Sequence, residues 1–399
     1  CTIDVSADAA DDSRVVVSGS LGSVEVQEVT RPERAVLRRD GAPDELVECP
    51  LPGDDFSAEI ASFTDSLLSG AQESPVMPLS DSLRCARIVD AVASGYDRYA
   101  VAEALGAELG EDCVTLGEPM AAHTTFHLGG PADVFVTPRG AGGLASCLRV
   151  LREHGAPHFI LGKGSDLLVS DAGYRGVVVD MTRGLDDVSH DGCRVTCQAG
   201  VSLQEASEMA AALSLTGLEF ACGIPGTVGG AVVMDAGSRH HWIGAAVRAV
   251  VCAKPGEGLV RHEGPDVDWG YRRPSIPADE TVLEVELSLV PSTKPRVARA
   301  MDRRLAVRKG RVPMGVPSTG EVFMDPPDLS ASRLLADAGL RGARSGGALV
   351  SQLNPDYIVN DRQARAVDVL ALMHHMQETV EEANGVRLKP QVKFLGFRS

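Results

Sequence analysis

What is missing from this sequence limits its roles before any motif is read. Nowhere in 399 residues do 18 apolar residues run without a charge, so no membrane span is available and a soluble, cytoplasmic protein is expected. Positive charge is scarce. The 38 Lys and Arg stand against 55 Asp and Glu, and a net charge of −17 repels polyphosphate backbones and anionic membranes, so neither is an expected partner. The densest basic run, RAMDRRLAVRKGR at 299–311, has spacings that fit the solvated face of a helix better than a phosphate site. Nine cysteines include no C-x-x-C pair and no Cys/His cluster at zinc spacing, so a reducing compartment is expected and a metal site is not. Cys193 and Cys197 in CRVTC read as small buried hydrophobes on one strand face. Adjacent histidines, His240 with His241 and His374 with His375, point apart on any regular element and suggest no metal either.

What remains is a globular chain, 44% hydrophobic and long enough for two or three domains. SRVVVSGSLGSVEVQEV and RAVLRRDG alternate in period two around glycine turns and predict strands. DFSAEIASFTDSLLSG sets Phe56, Ile60, Phe63, Leu67 and Leu68 at helical spacing behind Asp54 and Asp55, and SDSLRCARIVDAVASGY predicts a second helix. These two patterns resemble the C-terminal end of Gfo/Idh/MocA-type sugar dehydrogenases. No G-x-G-x-x-G precedes them, so the resemblance implies a partial α/β segment over about residues 1–110, the tail of that fold. A first residue Cys1 rather than Met reads as processing or truncation, and an incomplete segment predicts homodimerisation or a lost upstream domain.

From about residue 117 short Val/Leu strands alternate with helices such as GGLASCLRVLREHG and SLQEASEMAAALSL, which predicts an α/β or α+β arrangement. Three glycine loops punctuate it. HTTFHLGGPADVFVTP carries Gly129 and Gly130 ahead of a strand. In FILGKGSDLLVSDAGYRGVVVD, Gly162, Gly164 and Ser165 sit where backbone N–H groups could converge on an anion; a structural hairpin is the equal alternative, since no P-loop motif is present. GLEFACGIPGTVGGAVVMDAG packs Gly223, Gly226, Thr227, Gly229 and Gly230 into eight residues, and few folds need so much bare backbone for packing alone.

Together with YRRPS, GEVFMDP, LLADAGLRGARSGGALVS, DYIVN and VRLKPQVKFLGF, these words resemble the UDP-N-acetylenolpyruvoylglucosamine reductases (MurB) over about residues 117–397. The resemblance implies an α+β chain with an FAD-binding domain of the vanillyl-alcohol-oxidase type at 117–295 and a substrate domain at 299–397. It implies FAD as cofactor, NADPH or NADH as reductant and a sugar nucleotide as substrate. FAD would be held by Thr125, Gly129 and Gly130, by Gly162, Gly164, Ser165 and Asp166, and by Gly223, Ile224, Pro225, Gly226, Thr227, Gly229 and Gly230. Asp166 replaces the family's Asn, and Asp235 stands where NAG begins; either carboxylate facing a diphosphate would cost affinity.

The family protonates its substrate with a serine in GSxFKNP, polarises the intermediate with a late glutamate and neutralises the substrate carboxylate with the arginine of YRxS. That arginine is kept as Arg272, beside Tyr271. The serine is Glu321, the lysine Met324, the asparagine Asp325 and the late glutamate Gln391. The resemblance therefore implies Arg272, Glu321 and Gln391 as catalytic residues and Tyr271, Arg272 and Asp325 as substrate contacts. A carboxylic acid held above its ordinary pKa beside a flavin is a competent proton donor. The function read from this is FAD-dependent reduction of an enolpyruvyl sugar nucleotide. Two alternatives stay open, a flavin-binding protein without turnover and an oxygen-using flavin oxidase.

Overall fold

In the computed structural model the described residues are 2–5, 14–27, 33–48, 57–74, 78–238 and 241–397. The chain divides into two compact units, residues 1–89 and 90–399.

The first unit opens with five antiparallel strands in chain order, Thr2–Val5, Arg14–Gly19, Gly22–Gln27, Arg34–Arg39 and Glu45–Glu48. Period-two alternation puts Val15, Val17, Val24 and Val26 on one face, where Val24 pairs with Val17 and Leu37, and Val26 with Val15 and Ala35. The helices Ser57–Ser69 and Leu79–Ser94 follow, as their spacing predicts. Phe56, Asp54 and Asp55 lie outside the described residues. The rest of the first helix's apolar stripe is open, with Ile60, Phe63, Leu67 and Leu68 all more than 60% exposed.

In the second unit a four-stranded sheet has a parallel centre, in which Tyr174–Asp180 lies between Pro131–Val136 and His158–Leu161, with Val114–Pro119 antiparallel at one edge. Its central strands are buried on both faces, which accounts for their unbroken Val/Phe runs. The crossover helix Gly140–Glu153 buries Leu144, Cys147, Leu148 and Leu151, a stripe at helical spacing. A five-stranded antiparallel sheet follows, ordered Val188–Asp191, Arg194–Gln198, Thr281–Ser288, Val247–Lys254 and Gly258–Glu263. Beside it the helix Leu203–Ala212 starts on a reciprocal capping box between Ser202 and Glu205.

The C-terminal part builds a small antiparallel sheet from Ser318–Glu321, Tyr357–Asn360, Ala348–Val350 and Arg344–Ser345. The helix Ala366–Asn384 packs on it through Val369, Leu372, Met373, Met376 and Val380. Two ties fix this part to the glycine-loop region. Asp171 accepts the Ala366 and Val367 N–H groups at 2.7 and 3.1 Å, capping that helix from a distant loop. The strand Lys393–Leu395 pairs in parallel with Leu167–Val169, which sets Lys393 opposite Leu167, one residue from Asp166.

Candidate active site

The site starts where two glycine loops meet. Residues 162–166 follow the strand His158–Leu161, and Gly162 lies so close to the second loop that a Cβ there would come 2.6 Å from Thr227 Oγ1. Gly164 adopts φ +57°, a left-handed turn that a side chain would drive into His123 O at 2.4 Å. Thr227 Oγ1 accepts the Gly230 N–H at 3.2 Å and starts the short helix Val228–Val233. Both loops line one cavity of ≈ 1970 Å³, contributing Gly162, Gly164, Ser165, Asp166, Ile224, Pro225, Gly226, Thr227, Gly229 and Gly230.

The same cavity is lined by Tyr271, Arg272, Glu321, Asp325 and Gln391. Arg272 has φ +59°, an uncommon conformation for a bulky residue, and its guanidinium carbon lies 5.9 Å from the centre of the Trp242 ring. The Tyr271 ring meets Trp242 edge-on at 5.6 Å. Arg272 Nη2 lies 3.9 Å from Glu321 Oε2, and the Glu321 side chain keeps 43% of its exposure toward the open cavity. Strand pairing positions Glu321, because it stands opposite Tyr357 at the end of Ser318–Glu321. Gln391 holds the next residue, donating its N–H to Val322 O at 2.8 Å.

The electrostatics of this corner are crowded. Removal from water holds the Glu321 carboxyl above its ordinary pKa; Arg272 opposes the shift and Asp325 adds to it. Asp166 is pushed up to about 6, chiefly by burial, against the pull of Arg272 and Lys393. Asp356, buried behind Glu321, is raised well above its ordinary value by burial first and by Glu321 second, although it accepts the Phe323 N–H at 3.0 Å. Burial thus shifts all three acids toward the protonated form.

Whether these residues suit a flavin dinucleotide can be judged from what they leave unpaired. Arg272 Nε, Arg308 Nε and Gln391 Oε1, all on cavity-lining residues, are buried without a hydrogen-bond partner. Lys163, Arg272, Arg303, Arg304, Arg308, Arg311 and Lys393 outnumber Asp166, Asp279, Glu280, Glu321 and Asp325 on the wall, although the chain as a whole is acidic. Bare backbone, spare donors and local positive charge fit a dianionic, flat ligand.

Comparison with known proteins agrees. The FAD binding domain model matches residues 132–254, and the model of the UDP-N-acetylenolpyruvoylglucosamine reductase C-terminal domain matches 312–395. The UDP-N-acetylenolpyruvoylglucosamine reductase of Exiguobacterium sibiricum is 38% identical over 291 residues, 72% of this chain and 95% of that protein. The chain belongs to this reductase family. The reductase of Moorella thermoacetica is 40% identical over 71% of this chain and 93% of its own length. The crystal structure of UDP-N-acetylenolpyruvylglucosamine reductase (MurB) from Thermus caldophilus superimposes with a TM-score of 0.61 at 32% identity, covering 71% of this chain and 98% of that one.

As a member of the reductase family, the chain departs from its sequence-derived expectations at several points. Thr125, Gly129, Gly130 and Gly223 are absent from the cavity lining. A Cβ on Gly129 would meet Val169 at 2.6 Å and one on Gly130 would meet Asp171 O at 2.2 Å, so the close approach they permit is to the chain itself. Thr125 Oγ1 donates to Ser318 O at 3.1 Å. Gln391 reaches the backbone oxygen of Glu321, at 3.4 Å through Nε2. Asp325 Oδ1 accepts the Ala331 N–H at 2.8 Å, a helix-capping task, and its own N–H lies 3.5 Å from Tyr271 Oη. Asp235 turns away from the loops and accepts the Gly244 N–H at 3.1 Å, which removes the expected clash with a diphosphate.

Seven residues in and around the cavity carry no signal in the sequence. The spacing of the 299–311 run fits a solvated helix face, yet Arg303, Arg304, Arg308 and Arg311 line the cavity from the helix Lys294–Lys309 and the turn after it. Lys393, Asp356 and Tyr357 stood inside the family words VKF and DYIVN, but spacing alone gave them no partner. His123 bonds Glu118 at 2.8 Å, and neither His123 nor His127 lines the cavity. His240 lies outside the described residues.

Proposed function

We propose that the chain is an FAD-dependent reductase of an enolpyruvyl sugar nucleotide, using NADPH or NADH, with a carboxylic acid in place of the family's serine as proton donor. The observation that carries this reading is the meeting of both glycine loops, Arg272 and Glu321 on one cavity whose wall keeps buried donors unpaired. Residues 117–295 are assigned to the flavin domain, 299–397 to the substrate domain and 1–110 to a partial Gfo/Idh/MocA-like segment. Cytoplasmic location and homodimerisation through residues 1–110 belong to the same proposal; the open stripe of Ile60, Phe63, Leu67 and Leu68 supports the second. Among the described residues no helix is long and apolar enough to cross a membrane.

Bound FAD would supply a two-electron centre able to take hydride from a nicotinamide and give it to an unsaturated carbon. The chain's residues do the rest. Gly162 to Asp166 and Ile224 to Gly230 would cradle the dinucleotide; in the second loop the main chain of Gly226 and Thr227 faces it, because the N–H groups of Ile224, Val228, Gly229 and Gly230 are donated within the chain. The cavity-lining arginines of the 294–311 helix and turn offer charge to the substrate diphosphate, and the unpaired Arg272 Nε serves its carboxylate. Tyr271 and Arg272 both pack against Trp242, which supports placing Tyr271 in the same subsite.

Glu321 then gives its proton to the carbon next to the one that receives hydride. Burial shifts Glu321 toward the acid form, and Arg272, 3.9 Å away, stabilises the carboxylate left behind. Exposure toward the cavity lets solvent restore the proton. Gln391, uncharged, fixes the backbone on which Glu321 sits.

A visible spectrum of purified protein comes first, then bleaching by NADPH and recovery with enolpyruvyl-UDP-GlcNAc under anaerobic conditions. Recovery supports the proposal. Absence of bleaching points to a flavin-binding protein without turnover, recovery by air alone points to an oxidase, and colourless protein that takes up no FAD overturns every flavin reading.

A further inference from the structure

One cluster of ligating side chains stands apart from the proton-donor corner. Cys252 on the strand Val247–Lys254, His262 on Gly258–Glu263 and Glu280, one residue ahead of Thr281–Ser288, bring their ligating atoms within 4.8 Å of one another. Register explains the meeting. Val250 pairs with His262 and Cys252 with Val260, so Cys252 and His262 are diagonal neighbours on one sheet face. Cys252 also pairs with Val282, and two residues earlier comes Glu280; a register shift beside Cys252 adjusts this edge of the ladder.

Cys252 is fully buried, the Glu280 side chain is 3% exposed and His262 is 26% exposed, which leaves one opening to solvent. His262 Nε2 lies 2.5 Å from Glu280 Oε2. A thiol and a carboxylate buried this close together need a shared proton or a cation between them.

We propose that Cys252, His262 and Glu280 form a divalent metal site that takes Zn²⁺. One sulfur, one imidazole nitrogen and one carboxylate oxygen suit a tetrahedral borderline-soft ion, with a fourth position left for water, and a thiolate disfavours Mg²⁺ and Ca²⁺. Binding forms the metal–sulfur, metal–nitrogen and metal–oxygen bonds and releases the Cys252 thiol proton to solvent. Of the three, Glu280 lines the main cavity together with Pro277, Ala278, Asp279, Thr281 and Val282. The metal therefore fastens this part of the cavity wall to two neighbouring strands, and it does so whether or not the reductase reading holds.

The test uses the full chain, freed of metal by chelation and desalted. Titration with Co²⁺ should give one tightly held ion per chain, with d–d absorption in the red beyond the flavin bands, and Zn²⁺ should displace it and raise the melting temperature. Cys252→Ser, His262→Gln and Glu280→Gln should each lose the tight ion, whereas Cys85→Ser, at an exposed cysteine elsewhere, should keep it. A wild-type chain that retains no ion after desalting overturns the proposal, as does retention unchanged in His262→Gln. Should Cys252→Ser fail to fold, the partly exposed His262 still decides the matter.

Discussion

The two glycine loops and the corner around Arg272 face one cavity but are made of different materials. The loops work through what they lack: at Gly162 and Gly164 the missing Cβ allows one stretch of backbone to pass another, and no side-chain identity is needed beyond hydrogen. The corner works through charge and protons held on side chains, namely Arg272, Glu321, Asp166 and, behind them, Asp356. Substitution acts differently on the two. Serine to glutamate and glutamate to glutamine can change the proton chemistry of the corner and leave the strand pairing of Glu321 with Tyr357 in place. A single methyl group at Gly162 or Gly164 collides with Thr227 or with main chain. A backbone site thus keeps its sequence words while a side-chain site drifts, and that is the pattern of this chain.

The strongest test of that division is Glu321→Gln. It removes the proposed proton donor and keeps shape, so turnover of the enolpyruvyl substrate should fall by about 10²–10⁴-fold while flavin content stays at the wild-type level. The wild-type rate should decline as pH rises through the raised pKa of Glu321, because only the protonated carboxyl can donate, and the variant should lose that limb. A glutamine variant that also loses its flavin would erase the distinction between wall and corner.

The converse change is Gly162→Ala. Its new methyl would press on Thr227 Oγ1 at 2.6 Å, an overpacking of about 1–3 kcal/mol, which weakens FAD binding by roughly 10–100-fold and leaves the chemistry of retained flavin unaltered. Adding Thr227→Ala should recover much of that loss, since the nearest remaining Thr227 atom would be its Cβ at 3.5 Å, less about 1 kcal/mol for the lost helix cap. Gly129→Ala sharpens the contrast within the glycines. Its methyl would meet Val169 at 2.6 Å and its φ is +122°, so the melting temperature should drop while FAD affinity of the folded protein is unchanged.

These contrasts mark where sequence reading succeeds. Period-two alternation located the N-terminal strands, helical spacing the helices, and glycine density the loops of the cavity, because each signal is local. Gly129 and Gly130 carry the same signal and, like Gly162 and Gly164, let the chain approach itself, but only the second pair lines the cavity, a difference that three-dimensional structure alone reveals. Asp325 and Gln391 line the cavity, yet their hydrogen-bond partners, Ala331 N–H and the Glu321 carbonyl, are set by tertiary geometry that no motif reveals. Arg308 was misplaced because the helix Lys294–Lys309 is polar nearly all round, with Val297 its one buried residue, so periodicity could not say which polar side faces a cavity. The Cys252, His262 and Glu280 cluster is invisible to motif spacing, since its members lie on three strand edges 10 and 18 residues apart in sequence and meet through register.

The smallest expected effect lies where wall and corner touch, at Asp166. Its carboxyl titrates near 6 in the folded chain because burial outweighs the pull of Arg272 and Lys393. Above that pH an ionised Asp166 opposes a diphosphate; below it, the neutral acid can donate a hydrogen bond. FAD affinity should therefore tighten as pH falls through about 6, by no more than about tenfold, a difference of about 1.4 kcal/mol. The raised pKa also fixes the sign for stability without cofactor: the stabilising proton is present below the ordinary carboxylate range and its contribution is lost as pH rises toward about 6. Asp166→Asn, which restores an N–H donor, should flatten both dependences and bind FAD more tightly than wild type at pH 7.5. Isothermal titration across pH 5 to 8 measures both slopes' binding half, and thermal melts the other. An Asn variant that keeps the wild-type slope would place the titrating group elsewhere in the corner, and Glu321 would be the next residue to change.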